Sequence, residues 1–424
     1  MLLPCTPHPP VSLLLFLQSA PPRKTFDAFI EDCKLCGMSW CSPAAQQLCV
    51  ALIIRNPLVK KYPPRPSNIY AFLKHFIFEL EQIHSGTAGA EDPDGEDPIH
   101  QDLMEAYIEY MELSGRSDQK SFCYRTYFDP NASEKYVSVR LAVGQFTNVG
   151  LALWPSAFVL VQLLARELSE PSPSVVPFPL EGELRLLELG AGVGLLPLLL
   201  KRQRAYEDRV CCCILTEYQQ ELVDNITFNL ALQDIVVAEA VTSDTPNSGG
   251  PLHAVALLDW REHEQNQVKL RNWGCNLILA ADCVYDVSLI QPFVRTLHDA
   301  LSATNGCGGA VVVQTHRQRE TIQRLFAVLE EAGLSVCSYR LACGVPSAGR
   351  SHDITLTFPR SVSVHTGDGS VCCFALERDE VSPSGIFKGL EGIENSVVSG
   401  WIGPFFTSME AVVGVHVIRL RSIC

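Results

Sequence analysis

The sequence lacks an apolar run long enough to cross a membrane. A membrane-spanning helix needs about 18 consecutive, predominantly apolar residues, and the 424-residue sequence contains no such run. The apolar patch at positions 11–17 is flanked by prolines and has no Lys or Arg before it. Because a secretory signal peptide requires a basic segment at that place, we expect neither secretion nor membrane insertion.

Basic residues are also scarce relative to acidic ones. The chain has 33 Lys and Arg against 47 Asp and Glu, which gives a formal net charge of -14. Nucleic acids and anionic membranes reward clustered positive charge, so we expect no direct binding to either. The hydrophobic fraction of 47% is ordinary for a globular protein and is sufficient for a full core.

A second pair of metal-ligating side chains is missing. Cys33 and Cys36 have CxxC spacing, but no second CxxC and no HxxxH follows. A structural zinc ion needs four well-placed ligands, so we predict no metal site. Other members of the 17 cysteines, such as Cys211–Cys213, lie in an apolar run that reads as a buried strand. Reduced thiols of this kind favour a cytoplasmic location.

The first third of the sequence has the apolar period of helices. Phe72, Phe76 and Leu80 recur every four residues, and a shorter helix is predicted over 102–113. The acidic segment 86–98 reads as an exposed loop. Positions 1–118 are therefore expected to form a helical domain, which contains no catalytic constellation of its own.

The period changes after Ser121. Two β-rich stretches, 121–128 and 135–143, flank a turn and predict a hairpin. Short apolar strands are then predicted at 184–189, 210–215, 255–258, 277–281 and 311–314, and helices at 195–202, 219–232, 286–301 and 317–332. This alternation is typical of a parallel sheet covered by helices, so we assign 119–424 to an α/β domain. Two last strands, at 335–341 and 412–420, are separated by an irregular insert over 342–411.

The strongest chemical pattern is the run from Glu188 to Gly194 at the end of the first strand of this sheet. Its letters, ELGAGVG, place glycines at 190, 192 and 194, in the spacing GxGxG rather than GxGxxG. Glycines allow a sharp turn and let a ligand approach where a Cβ would clash. Ligands of such sheets bind beyond the carboxyl ends of the strands.

Acidic residues follow the next two strands. Glu217 ends the second strand, where a carboxylate can accept hydrogen bonds from both hydroxyls of a ribose. Asp259 and Trp260 close the third strand. Asp259 can accept a hydrogen bond from an adenine amino group, and the flat indole can cover the ring. Together these residues predict an adenosine-containing ligand.

A DxxY motif closes the fourth strand. Asp282 and Tyr285 lie within the run AADCVYD, directly after Ala281. A carboxylate at this place can orient an incoming amine, and an aromatic ring can bind its cation. We therefore expect the acceptor of the reaction to lie against these two side chains.

These motifs, in this order and spacing, resemble those of the DxxY-type lysine methyltransferases of the seven-strand superfamily. The resemblance covers roughly 122–339 and includes Trp154, which follows a glycine segment and in that family borders the donor pocket. It implies a seven-strand Rossmann-like methyltransferase sheet, S-adenosylmethionine as cofactor, and methyl transfer to a protein lysine. Trp154, Glu188, Gly190, Ala191, Gly192, Gly194, Glu217, Asp259, Trp260 and Ala281 are then expected to bind the donor. Asp282 and Tyr285 are expected to be catalytic.

The helical front third carries a weaker likeness. The segments 56–66 and 102–108 are similar to the helical amino-terminal region of the elongation factor 2 lysine methyltransferases. This similarity implies elongation factor 2 as the protein partner, recognised by the helical domain.

Three alternatives remain open. A methyltransferase of another acceptor, such as a histidine or a small molecule, would keep the donor motifs without needing Asp282 and Tyr285. An NAD-dependent oxidoreductase would need a GxGxxG turn, which the sequence lacks. A non-catalytic scaffold would keep the fold and lose donor binding.

Overall fold

A computed structural model describes residues 9–86, 98–115, 122–129, 132–142, 149–169, 182–245, 250–304, 308–344, 361–365, 371–379 and 413–421. The chain divides after position 148 into two compact units. The predicted hairpin groups with the helices of the first unit, not with the sheet of the second.

The first unit is built mainly from helices. They are α1 (Val11–Leu17), α2 (Pro22–Leu35), α3 (Pro43–Cys49), a π-helical turn (Val50–Ile54), α4 (Pro57–Lys61), α5 (Pro66–Gly86) and α6 (Gln101–Gly115). Helices α2 to α5 each begin at a proline, whose fixed φ and missing N–H suit the first helical turn.

Helix α5 supplies the centre of this unit's core. Phe72, Phe76 and Leu80 are almost fully buried, as their spacing predicts. The ring of Phe76 packs edge to face on Phe26 at 5.1 Å and on Trp40 at 5.9 Å. Aromatic pairs of this geometry stabilise a core beyond their buried area. The predicted helices of this region are confirmed, and the second extends slightly at both ends as α6.

The hairpin is confirmed as well. Strands β1 (Phe122–Asp129) and β2 (Ala132–Ala142) pair antiparallel, with Cys123 opposite Leu141. The segment 86–98, predicted to be an exposed loop, lies almost entirely outside the described residues.

The cysteines of the CxxC pattern do not form a metal cluster. Cys33 is buried on α2, and Cys36 caps the carboxyl end of that helix. Burial raises the pKa of the Cys33 thiol to about 12, so the thiol stays protonated. Across the described part of the chain, no three potential ligands lie close enough together to hold a metal ion.

The second unit alternates helices and strands. Its helices are α7 (Pro155–Ser169), α8 (Leu195–Leu200), α9 (Arg204–Arg209), α10 (Gln220–Ala231), α11 (His263–Trp273), α12 (Val287–Ser302) and α13 (Arg319–Glu331). Its strands are β3 (Leu184–Leu189), β4 (Val210–Glu217), β5 (Leu252–Leu257), β6 (Leu277–Ala281), β7 (Gly309–Thr315), β8 (Leu334–Gly344), β9 (Ser361–His365), β10 (Val371–Asp379) and β11 (Val413–Leu420). No described helix has the length and apolar character of a membrane span.

The strands form one nine-stranded sheet among the described residues, in the order β5-β4-β3-β6-β7-β11-β8-β10-β9. The strands β5, β4, β3, β6 and β7 run parallel to their neighbours, and β11 lies antiparallel between β7 and β8. The predicted seven-strand Rossmann-like fold is confirmed by the first seven strands of this order.

The insert over 342–411 departs from the expectation of an irregular segment. It contributes the end of β8 and the strands β9 and β10, which extend the sheet beyond β8. These strands were missed because ladder hydrogen bonds are made by the backbone and require no side-chain period. The rest of the insert lies outside the described residues.

Candidate active site

The strand order reverses at β3, and a cavity lies there. Strand β3 pairs with β4 on one side and with β6 on the other, so the loops that follow these strands diverge. They surround a cavity of about 340 Å³, within the usual size range of ligand sites. Predicted site residues that line it are Trp154, Gly190, Gly192, Glu217, Asp259, Trp260, Ala281, Asp282 and Tyr285.

The predicted residues Glu188, Ala191 and Gly194 lie beside the cavity lining. Ala191 is buried, and its N–H donates to the carbonyl of Thr216 at 3.0 Å. A Cβ on Gly194 would lie 2.9 Å from Ile226, so this glycine lets α10 pack closely against the turn. These contacts hold the turn rather than face the cavity.

The glycine turn forms the floor of the cavity. Gly190 and Gly192 have φ values of +67° and +60°, a region that residues with a Cβ rarely adopt. A Cβ on Gly190 would lie 2.8 Å from the Cys283 sulfur. The backbone can therefore approach a ligand here, and a larger residue would obstruct it.

Two carboxyl groups are buried next to this turn. Glu217 accepts hydrogen bonds from the N–H of Gly192 at 2.8 Å and of Tyr218 at 3.1 Å. Burial raises the pKa of Glu217 to about 7 despite those two donors. Burial, and secondarily the charge of Glu217, also raises the pKa of Glu188. One oxygen of Glu188 is buried without a hydrogen-bond partner among the described residues.

The side chains that follow β5 close another side of the cavity. The Asp259 carboxylate is bound by Arg261, whose Nε lies 2.9 Å from Oδ1. This hydrogen bonding holds the pKa of Asp259 below its usual range. The Trp260 ring packs edge to face on Phe293 at 5.1 Å, which fixes its orientation.

Asp282 is held by the neighbouring strand β7. Its Oδ1 accepts from the Thr315 N–H at 2.7 Å, and its Oδ2 accepts from the Thr315 hydroxyl at 2.9 Å. The Thr315 hydroxyl also lies 2.8 Å from the Ser156 hydroxyl at the start of α7. With a φ of +51°, the Asp282 backbone is in the left-handed region. Tyr285 is about half exposed and lines the same cavity.

Eight of the described cavity residues were not predicted, among them Arg317 and Tyr218. Arg317 places its guanidinium 3.6 Å from Asp282 Oδ2 and over the Trp154 ring, with its carbon 4.8 Å from the ring centroid. Tyr218 follows Glu217 and is 42% exposed. A basic residue just past the last parallel strand is a weak signal, because the contact with Asp282 depends on which strands are neighbours.

The cavity fits S-adenosylmethionine. The glycine turn leaves room where a Cβ would clash, and Glu217 is buried at the strand end where it can accept from ribose hydroxyls. Trp154, Gly190, Gly192, Glu217, Asp259 and Trp260 are the residues in place to hold the donor. When bound, S-adenosylmethionine supplies a methyl group activated by its sulfonium.

Comparison with known proteins finds a matching enzyme family. The family model described as lysine methyltransferase matches residues 134–332. The chain is accordingly an S-adenosylmethionine-dependent methyltransferase. Its matched region belongs to the lysine methyltransferase family.

Three relatives have informative names. The protein-lysine N-methyltransferase EEF2KMT of Bos taurus is 23% identical over 293 residues, which cover 66% of this chain and 76% of that protein. The Homo sapiens protein of that name is 24% identical and covers 66% and 75%. The protein-lysine N-methyltransferase EFM3 of Chaetomium thermophilum is 25% identical and covers 56% and 67%.

Solved structures add little to this assignment. A precorrin-6y C5,15-methyltransferase from Geobacter metallireducens is 10% identical, covers 57% of this chain and 83% of its own, and has a TM-score of 0.29. A TM-score this low shows nothing further about this chain.

Proposed function

We propose that this chain methylates a lysine of elongation factor 2 in the cytoplasm. The observation that supports the lysine chemistry is that Asp282 lines the donor cavity together with the aromatic side chains of Trp154 and Tyr285. The substrate rests on the names of the two EEF2KMT relatives and on the similarity of the helical front third. The cytoplasmic location rests on the many thiols, none of which forms a disulfide within the described residues.

The positions of the site residues support the roles proposed for them. Asp282, fixed by Thr315, orients the lysine nitrogen toward the cavity, and Tyr285 lines the channel along which the side chain enters. The nitrogen must be neutral to attack, so its proton leaves to solvent first. Most of the rate enhancement comes from holding nitrogen, carbon and sulfur in line.

The test compares wild type with Asp282→Asn in tritium transfer from methyl-labelled S-adenosylmethionine. Asparagine tolerates the left-handed backbone. Its Oδ1 can still accept from the Thr315 N–H, and its Nδ2 can donate to the Thr315 hydroxyl, so the charge is lost with little change of shape. We expect wild type to label a cytosolic protein of the size of elongation factor 2. We expect Asp282→Asn to lose about 100-fold in rate, a typical cost of removing a preorganised site charge, with donor affinity unchanged.

Other outcomes would identify the alternatives. Donor binding without a labelled protein would point to a small-molecule acceptor, and loss of donor binding would point to a scaffold. Labelling of a different protein would keep the chemistry and reject elongation factor 2. An Asp282→Asn variant as active as wild type would contradict the role given to this carboxylate.

A further inference from the structure

Arg317 lines the cavity beside Asp282, next to the point where the substrate amine is expected. It lies two residues beyond the end of β7, and its side chain is 47% exposed, whereas that of Asp282 is 3% exposed. The guanidinium therefore reaches in from solvent. It contacts the Asp282 carboxylate, which is expected to orient the amine, and the Trp154 ring.

The Trp154 ring is a fixed support for this guanidinium. Its indole N–H donates to the Val149 carbonyl at 3.1 Å, which holds the ring plane. A planar guanidinium stacks on an aromatic face while its edge still reaches a carboxylate. Arg317 is thus held near Asp282 without a direct hydrogen bond, at an N–O distance of 3.6 Å.

The other charges around the cavity are already compensated or neutral. Asp259 is paired with Arg261 at 2.5 Å, and Glu217 is bound by two backbone N–H groups. Burial raises the pKa of Cys283 and of Tyr285, so both stay protonated near neutral pH.

Three further titratable groups complete the surroundings. Tyr218 also lines the cavity. Burial raises the pKa of Glu188 and lowers the pKa of His316, which stands between Thr315 and Arg317. The charge balance at the acceptor position is therefore set mainly by Asp282 and Arg317.

We propose that Arg317 is a positioning residue that keeps the bound substrate lysine in its neutral, reactive form. An Asp282 carboxylate alone would stabilise the ammonium form of the lysine, which has no lone pair and cannot attack. The nearby guanidinium cancels that attraction and repels a second cation, while Asp282 can still accept a hydrogen bond from a neutral amine. This inference rests on the proposed lysine chemistry.

Arg317 takes no part in the bond changes of the methyl transfer. The ammonium first releases one proton to solvent. The nitrogen lone pair then forms the bond to the methyl carbon, and the carbon–sulfur pair stays on sulfur as a neutral thioether. Arg317 gives up no proton and forms no bond in this step.

The test measures kcat and KM separately for purified elongation factor 2 between pH 6.5 and 9.5, at saturating S-adenosylmethionine, because the pH dependence of kcat reports groups in the bound complex. The variants are Arg317→Gln, Arg317→Lys and the control Arg319→Gln, which removes an exposed charge two residues along that does not line the cavity. Donor affinity is measured separately for each protein.

We expect Arg317→Gln to move the rising limb of the profile up by about one pH unit, since a charge at this distance shifts a titration by that order. Its rate would be about tenfold below wild type at pH 7.5 and within about threefold at pH 9.5. Arg317→Lys keeps the charge and should restore most of the profile, and Arg319→Gln should match wild type.

Two results would overturn the inference while leaving the proposed function intact. One is an Arg317→Gln rate lowered by the same factor at every pH, which indicates a purely structural role. The other is a lower KM and a faster rate at neutral pH, which indicates that Arg317 only blocks the amine position. If wild type itself labels no elongation factor 2, the proposed function fails, and this inference fails with it.

Discussion

Asp282 owes its orientation to a neighbouring strand rather than to its own loop. Both of its oxygens accept from Thr315 at the end of β7, and its own N–H donates to the Val313 carbonyl at 2.9 Å. Its left-handed backbone is a conformation that costs energy for most residues and is found at functional sites. The carboxylate is therefore preorganised before a substrate arrives.

At the residue scale, Glu217 makes donor binding depend on pH. Its pKa is about 7, and only the ionised carboxylate offers its full set of acceptors to ribose hydroxyls. Below that value donor binding must displace a proton, so we expect affinity for S-adenosylmethionine to fall about tenfold from pH 8 to pH 6. Isothermal titration calorimetry across that range measures the slope.

Glu217→Gln should bind the donor more weakly at pH 8 and show no such slope. Asp259→Asn is the matched control, because the pKa of Asp259 is already held low by Arg261 and its titration lies below this range. A slope that persists in Glu217→Gln would assign the pH dependence to another group.

At the element scale, the sequence predicts what is local and misses what depends on neighbours. The strands β3 and β6 are short apolar runs bounded by turns, and their predicted limits match the structure. Helix α11 was missed, because few of its side chains are apolar. Arg317 was missed for a different reason: its partner Asp282 follows another strand.

For strand β11, too, the local feature was predicted and the neighbours were not. Its existence was predicted within one residue, but its position between β7 and β8 depends on contacts far along the chain. No periodicity in one segment can state which strands will lie beside it. The order of the last strands therefore cannot be predicted from local sequence and is known only from the structure.

A pair of identical substitutions tests that position of β11. Val415 lies fully buried on β11, whereas Val236 is 84% exposed. We expect Val415→Ala to lower the free energy of unfolding by about 2 kcal/mol, from the lost burial of two methyl groups and the cavity left behind. Val236→Ala should stay within about 0.5 kcal/mol of wild type.

Urea unfolding followed by circular dichroism measures both variants. Equal midpoints for the two variants would mean that β11 does not pack in the core of the sheet. A change in the slope of the transition, rather than in its midpoint, would indicate an altered unfolded state.

At the scale of the whole molecule, the two compact units differ in how far the sequence explains them. The helical character of the first unit follows from apolar period and prolines, yet the sequence placed the hairpin with the sheet domain, and the contacts group it with the helices. The second unit follows from its strand and helix alternation up to β8. The insert after β8 interrupts the alternation of strands and helices, but its strands β9 and β10 belong to the same sheet.

The insert should be dispensable for the donor cavity. In the antiparallel pairing of β8 with β11, Leu341 lies opposite Val413, so the chain between them connects two adjacent strand ends. A short glycine-containing turn can make such a connection. Shortening a long connection also lowers its closure cost, by about 2.5 kcal/mol, which offsets part of the lost pairing of β9 and β10.

We therefore expect a variant that joins Leu341 to Val413 through about four residues to fold and to bind S-adenosylmethionine within about twofold of the full chain. Among the described residues, none that lines the cavity comes from the replaced segment. Calorimetric titration and a thermal unfolding transition, each run beside the full chain, measure the two properties. A folded variant without donor binding would mean that the insert supports the cavity from a distance, and an unfolded one would mean that β10 is needed to protect the exposed edge of β8.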